Sequence, residues 1–425
     1  MLLAMKEFVK RPLLLIPTVR RYVNTNRRIA AKALALEEEV KRTKEIVARS
    51  RSPALFGSVE DLLTERLLAH PAAIPLPAAE LGSQPAIGDR RRIESAERLL
   101  AAYHKALADE FTSPLKREGE DMWSRLIRTE LPELMSTLEQ GDAAELAQFL
   151  MNFGRSFVWF GGITTCLDGF NRNPAPGQVA LTYLDKLVCL AEAIGVLWLE
   201  NPEQGSWGSN LHVNVDELIE AIEDELGVSI APPMGIIHTD GLRTKNGLLH
   251  YRHINGLYSA IQLSKLNIDQ GSVCEIGGGL GITAMYSRRL GVLDYTILDL
   301  PITCLLAGHY LLQAVGPDSV VLYGEKRVSN AVKVLPYWEC MNLPDKRTGA
   351  TINQDSLPEI AENLINEYLV QIGRFTGGYF LSINHECFFP RTVHNLIRKH
   401  PGFKNVYRAK CWVREGYVEE LYEVP

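Results

Sequence analysis

The sequence predicts an α/β protein with a mostly α-helical N-terminal domain and a parallel sheet in its C-terminal part. Three observations predict this arrangement. Helical periodicity dominates residues 90–230, short apolar runs alternate with helical patterns after about residue 268, and a glycine-rich loop joins the first of those runs to a helix. Strand–helix alternation implies parallel strands with right-handed crossovers. The 425 residues suffice for two or three domains.

The composition is ordinary for a globular protein, with 46% hydrophobic and 23% charged residues. The net charge of −6 provides no overall positive field, so no nucleic-acid partner is expected. No run approaches the roughly 20 apolar residues of a membrane span. The 7 cysteines are scattered and never form a CxxC pair, which argues against a disulfide framework or a zinc site. A reducing, cytoplasmic location is expected.

The N-terminus differs in charge from the rest of the chain. Residues 1–52 hold 13 Lys and Arg against 5 Glu, and strong helix formers dominate residues 28–50. We expect a basic helical N-terminal arm, either as a solvated helix or short coiled coil, or as a peripheral contact with an anionic membrane surface or a partner protein. Residues 53–89 repeat Pro and Ala, which is typical of a linker or irregular segment.

A helical domain is predicted for residues 90–240. Its clearest pattern is an apolar face with spacings of three and four residues, carried by Ile93, Ala96, Leu100, Tyr103 and Leu107. Further helices are predicted at 122–138, 143–153, 181–199 and 216–226.

A Rossmann-like sheet is predicted for residues 241–425. The apolar runs that predict its strands lie at 272–276, 295–298, 320–323, 350–352 and 378–383. The helices between them are predicted at 283–290, 302–315, 358–372 and 392–399. Residues 406–412 and 418–424 are expected to pair as a final antiparallel hairpin.

The glycine-rich loop follows the first strand and opens a helix, a geometry that lets the backbone approach a ligand closely. Its glycines Gly277, Gly279 and Gly281 follow the acidic Glu275. Asp299 ends the next strand, where a carboxylate can accept both hydroxyls of a ribose. Alternatively, Asp299 caps the helix that begins near Pro301.

Two cofactors compete for this loop. The dinucleotide fingerprint fits Gly279, Gly281 and Ala284, with Asp299 about 20 residues further on. The methyltransferase pattern, acid-x-Gly-x-Gly-x-Gly, begins at Glu275. A buried carboxylate repels a pyrophosphate and attracts the ammonium of S-adenosylmethionine. The sequence therefore predicts S-adenosylmethionine as the cofactor, with an NAD(P)-dependent sugar oxidoreductase as the alternative.

From Gly247 to Glu386 the chain resembles the putative sugar O-methyltransferase family, within the class I S-adenosylmethionine-dependent methyltransferases. The resemblance implies a class I methyltransferase sheet and transfer of a methyl group to a hydroxyl of a sugar or glycosylated substrate. A non-sugar small molecule is the alternative acceptor. The stretches that carry the resemblance are Leu249–His253 with Tyr258–Ala260, Glu275–Gly281, Ile297–Pro301 and Ile352–Glu359.

Polar residues near the ends of the later strands are the candidates for the remaining site. Asn353 is expected beside the donor, and Arg252 is expected either to reach the donor's carboxylate or to form a surface ion pair. His385 is the first candidate for the base that accepts the hydroxyl proton, with Glu386 beside it, or else a packing residue.

His253, together with His250, is the second candidate for the base. Asp355, His385 and Glu386 could together hold a divalent cation, but no spacing requires one, so no metal is expected. The expected acceptor is a small molecule or a glycan.

Overall fold

The computed structural model describes residues 89–117, 122–154, 176–205, 207–239, 241–266, 268 and 271–424. The predicted basic arm at 1–52 and the predicted linker up to residue 88 lie outside the described residues, so arm contacts with a membrane or a partner stay predictions. All described residues belong to one unit, Leu62–Pro425. Within the described ranges, no helix has the length and apolar character to cross a membrane.

The N-terminal half is helical, as predicted, but two boundaries differ. The helix predicted at 122–138 is divided at Leu131, because Pro132 has no N–H to donate and fits only the first turn of a new helix. The helix predicted at 181–199 ends at Ile194, where Gly195 takes a positive φ of 82°. The helices of this half are α1 (Asp89–Glu110), α2 (Met122–Glu130), α3 (Pro132–Gln140), α4 (Ala143–Met151), α5 (Pro176–Ile194) and α6 (Val215–Leu226).

The C-terminal half is built on an eight-stranded sheet with the order β5-β6-β4-β3-β7-β8-β10-β9. Neighbouring strands are parallel, except that β10 runs antiparallel to β8 and β9. The strands are β3 (Ser272–Ile276), β4 (Asp294–Asp299), β5 (Val320–Leu322), β6 (Val332–Pro336), β7 (Thr348–Gln354), β8 (Thr376–His385), β9 (Lys404–Lys410) and β10 (Tyr417–Glu423). A separate hairpin joins β1 (Leu242–Thr244) to β2 (Gly247–Leu249).

The predicted α/β fold is confirmed, including the closing antiparallel hairpin. Strand β6 was missed, because Lys333 and Pro336 interrupt its apolar pattern; Lys333 nevertheless lies buried and pairs with Asp294 at the start of β4. The helices around the sheet are α7 (Tyr251–Ser264), α8 (Ile282–Arg289), α9 (Pro301–Ala314), α10 (Glu362–Phe375) and α11 (Val393–Ile397), with 3-10 turns at Ser209–His212, Pro317–Ser319, Tyr337–Asn342 and Leu357–Glu359.

The strand order places the ligand crevice. Strand β3 pairs with β4 on one side and with β7 on the other, so the chain reverses its direction of winding between β3 and β7. In open α/β sheets, ligands bind outside the carboxyl ends of the strands at such a switch point. The carboxyl ends of β3, β4, β7 and β8 carry four of the predicted site residues, namely Glu275, Asp299, Asn353 and His385.

Helix α1 packs directly against the α/β half. Its buried face includes Leu99, which is 1% exposed, whereas Leu107, at the end of the apolar face predicted from the sequence, is 37% exposed. A Cβ on Gly308 of α9 would lie 2.7 Å from Leu99 Cδ2, so the two helices touch at this glycine. Arg98 adds an ion pair with Glu325 at 2.7 Å.

We expect Leu99→Ala to lower the free energy of unfolding by about 2–5 kcal/mol, because it leaves a cavity between α1 and α9. Leu107→Ala on the same helix is the matched control and should change it by less than about 0.5 kcal/mol. Urea denaturation measures both, and calorimetry should show one transition for α1 and the sheet. Equal effects of the two variants would contradict this packing.

Candidate functional site at the carboxyl edge of the sheet

The glycine-rich loop takes backbone conformations that other residues rarely adopt. Gly277, Gly279 and Gly281 have φ values of 71°, 56° and 77°. A Cβ on Gly277 would lie 2.0 Å from Ser356 Oγ, so a side chain here would collide with the turn after β7. The Gly277 N–H donates to the Leu298 carbonyl at 2.9 Å. The loop is thus fixed between β4 and the turn after β7.

Glu275 lies beneath this loop. Its carboxylate accepts a hydrogen bond from the Tyr295 hydroxyl at 3.0 Å, and a Cβ on Gly278 would lie 3.0 Å from its Oε2. Burial raises the pKa of Glu275 to about 7, and hydrogen bonds from Tyr295 and Thr283 oppose that rise. In the protein without a ligand, ionisation of Glu275 therefore costs more free energy than ionisation of an exposed glutamate.

Asp299 connects β4 to the loop. Its Oδ2 accepts the Gly279 N–H at 3.0 Å and its Oδ1 accepts the Leu300 N–H at 2.7 Å. The N-cap of α9 is Leu300, without a side-chain cap, so the capping alternative for Asp299 is wrong. Burial raises the pKa of Asp299 to about 6. Each carboxylate oxygen has two lone pairs, which leaves capacity for ribose hydroxyls.

Asn353 holds three strand ends together. Its Nδ2 donates to the Ile276 carbonyl at 2.8 Å and to Ser356 Oγ at 2.6 Å, and its Oδ1 accepts from Asn384 Nδ2 at 2.9 Å. The amide also accepts the Leu357 N–H at 3.3 Å. The side-chain amide of Asn353 therefore forms hydrogen bonds within the protein. Its direct contact with the methyl donor stays a prediction.

Asp355 is the centre of a cluster that we call the arginine cluster: Asp355, Arg252, Arg414 and Tyr417. Its Oδ2 accepts from Arg252 Nη1 at 3.0 Å and Arg414 Nη2 at 2.7 Å, and its Oδ1 accepts from the Tyr417 hydroxyl at 2.6 Å. Asp355 has a positive φ of 74°. Although burial opposes it, the two arginines hold its pKa well below the usual range.

Sequence analysis missed Arg414 and Tyr417. They lie 59 and 62 residues after Asp355 and belong to no motif. Only the pairing of β10 with β8 brings them to this edge. Arg252 was expected either at the donor or in an ion pair, and the structure places it in the ion pair with Asp355 while keeping it at the start of α7.

His385 lies at the end of β8, inside the strand rather than after it as predicted. Its Nδ1 is 2.8 Å from Cys387 Sγ, and its Nε2 is buried and has no hydrogen-bond partner in the described part of the chain. Its ring lies 5.7 Å from that of Tyr417. Burial lowers the pKa of His385, which favours the neutral imidazole that a base requires.

Glu386 does not take the predicted position beside His385. Its carboxylate is held by Arg408 at 2.7 and 3.1 Å, and Cys387 lies beside the His385 ring instead. His250 is the N-cap of α7 and accepts the Arg252 N–H at 3.2 Å, and its role as a base stays a prediction.

His253 lines a cleft that His385 does not line. The cleft has a volume of ≈ 490 Å³, which includes the solvent at its opening. Leu280 and Ile282 beside the glycine loop also line this cleft. His253 Nδ1 contacts the Tyr286 hydroxyl at 3.2 Å, and burial lowers its pKa to about 3. This histidine is neutral at pH 7, and its role as a base stays a prediction.

The acidic residues considered for a metal are separated by their partners. Asp355 is bound by two arginines, and Glu386 by Arg408. Over the described ranges, no group of three or more His, Cys, Asp or Glu side chains has the geometry to hold a metal ion.

The order of the strands decides the fold class. The strand order reverses beside β3, the strand that leads into the glycine loop. Strand β10 is inserted between β8 and β9 and runs antiparallel to both. The chain has the class I methyltransferase fold.

No family model and no curated protein matches the chain. Among solved structures, the chain is similar to an S-adenosylmethionine-dependent methyltransferase from Aquifex aeolicus, with 12% identity and a TM-score of 0.28. The alignment covers 42% of this chain and 100% of that protein. The chain is also similar to a geranyl diphosphate methyltransferase in complex with S-adenosylmethionine, with 10% identity and a TM-score of 0.32. That alignment covers 41% of this chain and 87% of the other. The 1,6-didemethyltoxoflavin-N1-methyltransferase of Burkholderia thailandensis is covered over 78% by 40% of this chain, at 16% identity and TM-score 0.27.

We expect Glu275→Gln to stabilise the free protein above neutral pH. The folded-state pKa of Glu275, about 7, lies above that of an unfolded glutamate. As pH rises, Glu275 therefore loses its proton at a lower pH in the unfolded state than in the folded state. Between these two pKa values the free energy of unfolding of the wild type falls, and above the folded pKa it stays constant. The variant should gain about 1–3 kcal/mol at pH 8, and this gain should disappear near pH 4.

Urea denaturation at the two pH values measures the difference. Glu97→Gln, at an exposed position on α1, is the matched control and should show no pH-dependent gain. A Glu275→Gln protein that is less stable at both pH values would show that the hydrogen bond from Tyr295 outweighs the burial cost.

Proposed function

We propose that the chain is an S-adenosylmethionine-dependent O-methyltransferase. The observation that carries the proposal is a division of charge along the carboxyl edge of the sheet. Two acids lie at the glycine loop on β3 and β4: Glu275, which is buried, and Asp299, which is partly exposed. Arg252 and Arg414 instead bind Asp355 in the turn after β7. One half of the edge favours a cation, and the other favours an anion.

The acidic half fits the methyl donor better than a dinucleotide. Glu275 and Asp299 both have raised pKa values in the free protein, because burial opposes their charge. A positively charged ligand stabilises ionised carboxylates, and a pyrophosphate destabilises them. S-adenosylmethionine carries both an ammonium and a sulfonium. The repulsion between these carboxylates and a pyrophosphate disfavours the NAD(P)-dependent oxidoreductase.

The glycine loop and Asp299 would hold the donor. The positive φ values of the loop glycines leave the backbone open to close approach, and Asp299 retains lone pairs for the ribose hydroxyls. Bound there, S-adenosylmethionine supplies a methyl group that is already activated by its sulfonium, so positioning accounts for much of the catalysis.

His385 would accept the proton of the acceptor hydroxyl. Its Nε2 is buried and unpartnered within the described residues, and Cys387 Sγ at 2.8 Å can accept an Nδ1–H and keep Nε2 unprotonated. While the hydroxyl is methylated, Nε2 of His385 would take up its proton, and the imidazolium that results would later release that proton to solvent. The lowered pKa of His385 keeps this nitrogen free at neutral pH.

A sugar or glycosylated acceptor is supported by the sequence resemblance between Gly247 and Glu386. A non-sugar small molecule with a hydroxyl is the alternative acceptor, and the donor side of the proposal is the same for both.

We expect Asp299→Ala to weaken S-adenosylhomocysteine binding about ten- to a hundredfold, because it removes charged hydrogen bonds worth about 1.5–3 kcal/mol. Calorimetry measures the affinity, with Asp318→Ala in the 3-10 turn before β5 as the matched control. The wild-type protein should not bind NADH. Tight NADH binding without S-adenosylhomocysteine binding would overturn the methyltransferase proposal.

We expect His385→Ala to reduce methyl transfer by about 10²–10⁴-fold while S-adenosylhomocysteine affinity changes little, because the base acts on the acceptor. A panel of glycosides with radiolabelled donor provides the assay. His212→Ala, at an exposed position, is the control and should retain full activity. Activity of His385→Ala within about threefold of wild type would move the base to another residue.

A further inference from the structure

Arg414 carries an unused hydrogen-bond donor inside a buried cluster of cations. We propose that this guanidinium binds a carboxylate or phosphate group of the methyl acceptor, so that the substrate is an acidic hydroxyl compound. This inference rests on the proposed methyltransferase function and names the chemistry of its acceptor.

The hydrogen bonds of Arg414 within the described residues use only part of its guanidinium. The residue is 7% exposed, its Nη2 donates to Asp355 at 2.7 Å, and its guanidinium lies 3.5 Å from the centre of the Tyr417 ring. Its Nη1 is buried and has no partner within the described residues. A buried, charged donor without an acceptor is costly, and an anionic ligand would remove that cost.

Two arginines share a single carboxylate in this cluster, because Asp355 binds both Arg414 and Arg252. Lys186 of α5 is also buried, and its Nζ donates to the carbonyl of Val413, the residue before Arg414. Burial, and after it the charge of Arg414, lowers the pKa of Lys186, while Asp185 opposes that shift. Burial raises the pKa of the nearby Glu359 to about 8, so this acid is mostly neutral at pH 7.

The position of Arg414 favours the acceptor over the donor. The donor half of the edge lies at β3 and β4, whereas Arg414 immediately precedes β10 on the other side of β7. Tyr417, on which Arg414 stacks, pairs with His385 in the sheet. The unused donor thus belongs to the same corner as the proposed base.

Arginine suits this role because its guanidinium remains charged and forms short, charge-assisted hydrogen bonds with carboxylates and phosphates. The hydrogen bond from Nη2 to Asp355 and the contact with the Tyr417 ring hold the guanidinium in place before the ligand arrives. Such an arrangement would orient the acceptor so that one hydroxyl faces His385 Nε2.

The test titrates the full chain, saturated with S-adenosylhomocysteine, with three probes: inorganic phosphate, D-glucuronate, and D-glucose as the neutral match to glucuronate. We expect saturable millimolar binding of phosphate and glucuronate and none of glucose. In Arg414→Gln both anions should bind at least about tenfold more weakly, and Arg408→Gln, a matched loss of one cation on the same edge, should bind them normally.

The wild-type titration needs no variant, so it decides even if Arg414→Gln fails to fold. Absence of saturable binding by both anions, or equal binding in wild type and Arg414→Gln, overturns the inference. A separate arm compares S-adenosylhomocysteine with 5′-methylthioadenosine, which lacks the methionine carboxylate. If Arg414→Gln weakens only the former, the anion is the donor's own carboxylate and the acceptor assignment is wrong.

The two proposals fail in different ways. If wild-type protein does not bind S-adenosylhomocysteine, the methyltransferase function fails whatever the anions do. If it binds S-adenosylhomocysteine but neither anion, the function stands and the acidic acceptor is wrong.

Discussion

The close approach between Gly277 and Ser356 is the constraint on which the site depends. It occurs where β3 and β7 separate at the switch point, and a Cβ on Gly277 would lie 2.4 Å from that of Ser356. Ser356 Oγ and Asn353 Nδ2 both donate to the Ile276 carbonyl, at 3.2 and 2.8 Å. This small network places the glycine loop against the turn after β7. Asp299 then meets the loop from one side, and Asp355 begins the arginine cluster on the other.

The site stores unfavourable electrostatics in the free protein. At the glycine loop, burial raises the pKa values of the acids Glu275 and Asp299 to about 7 and 6. On the opposite side, Arg414 leaves a buried donor unpaired. Ligands of matching charge would relieve both, which is a common reason for a binding site to be less stable than the rest of a fold. Binding and stability are therefore coupled at this edge.

The helical half contributes directly to the site. Lys186 on α5 reaches the Val413 carbonyl at 2.8 Å, and its Nζ lies 5.9 Å from the centre of the Tyr251 ring. Helix α1 contacts α9 through Leu99 and Gly308. Helix α5 thus contacts the residue before Arg414, whereas α1 packs on the other side of the sheet's switch point, against α9. In our proposal, acceptor recognition would depend on both halves of the described chain.

The sequence by itself determined the class of fold and the glycine-loop side of the candidate site. Glycines at 277, 279 and 281, an acid at 275 and another at 299 follow one another along the chain, so local spacing alone predicts their meeting at one loop. The tertiary structure decided the arginine-cluster side. Arg252, Asp355 and Arg414 are brought together by α7, β7 and the antiparallel insertion of β10, and strand pairing across that distance leaves no periodic signal in the sequence. Glu386 shows the same limit: its neighbour in sequence is His385, but its charge is satisfied by Arg408 on β9, because successive residues at a strand end point to opposite faces.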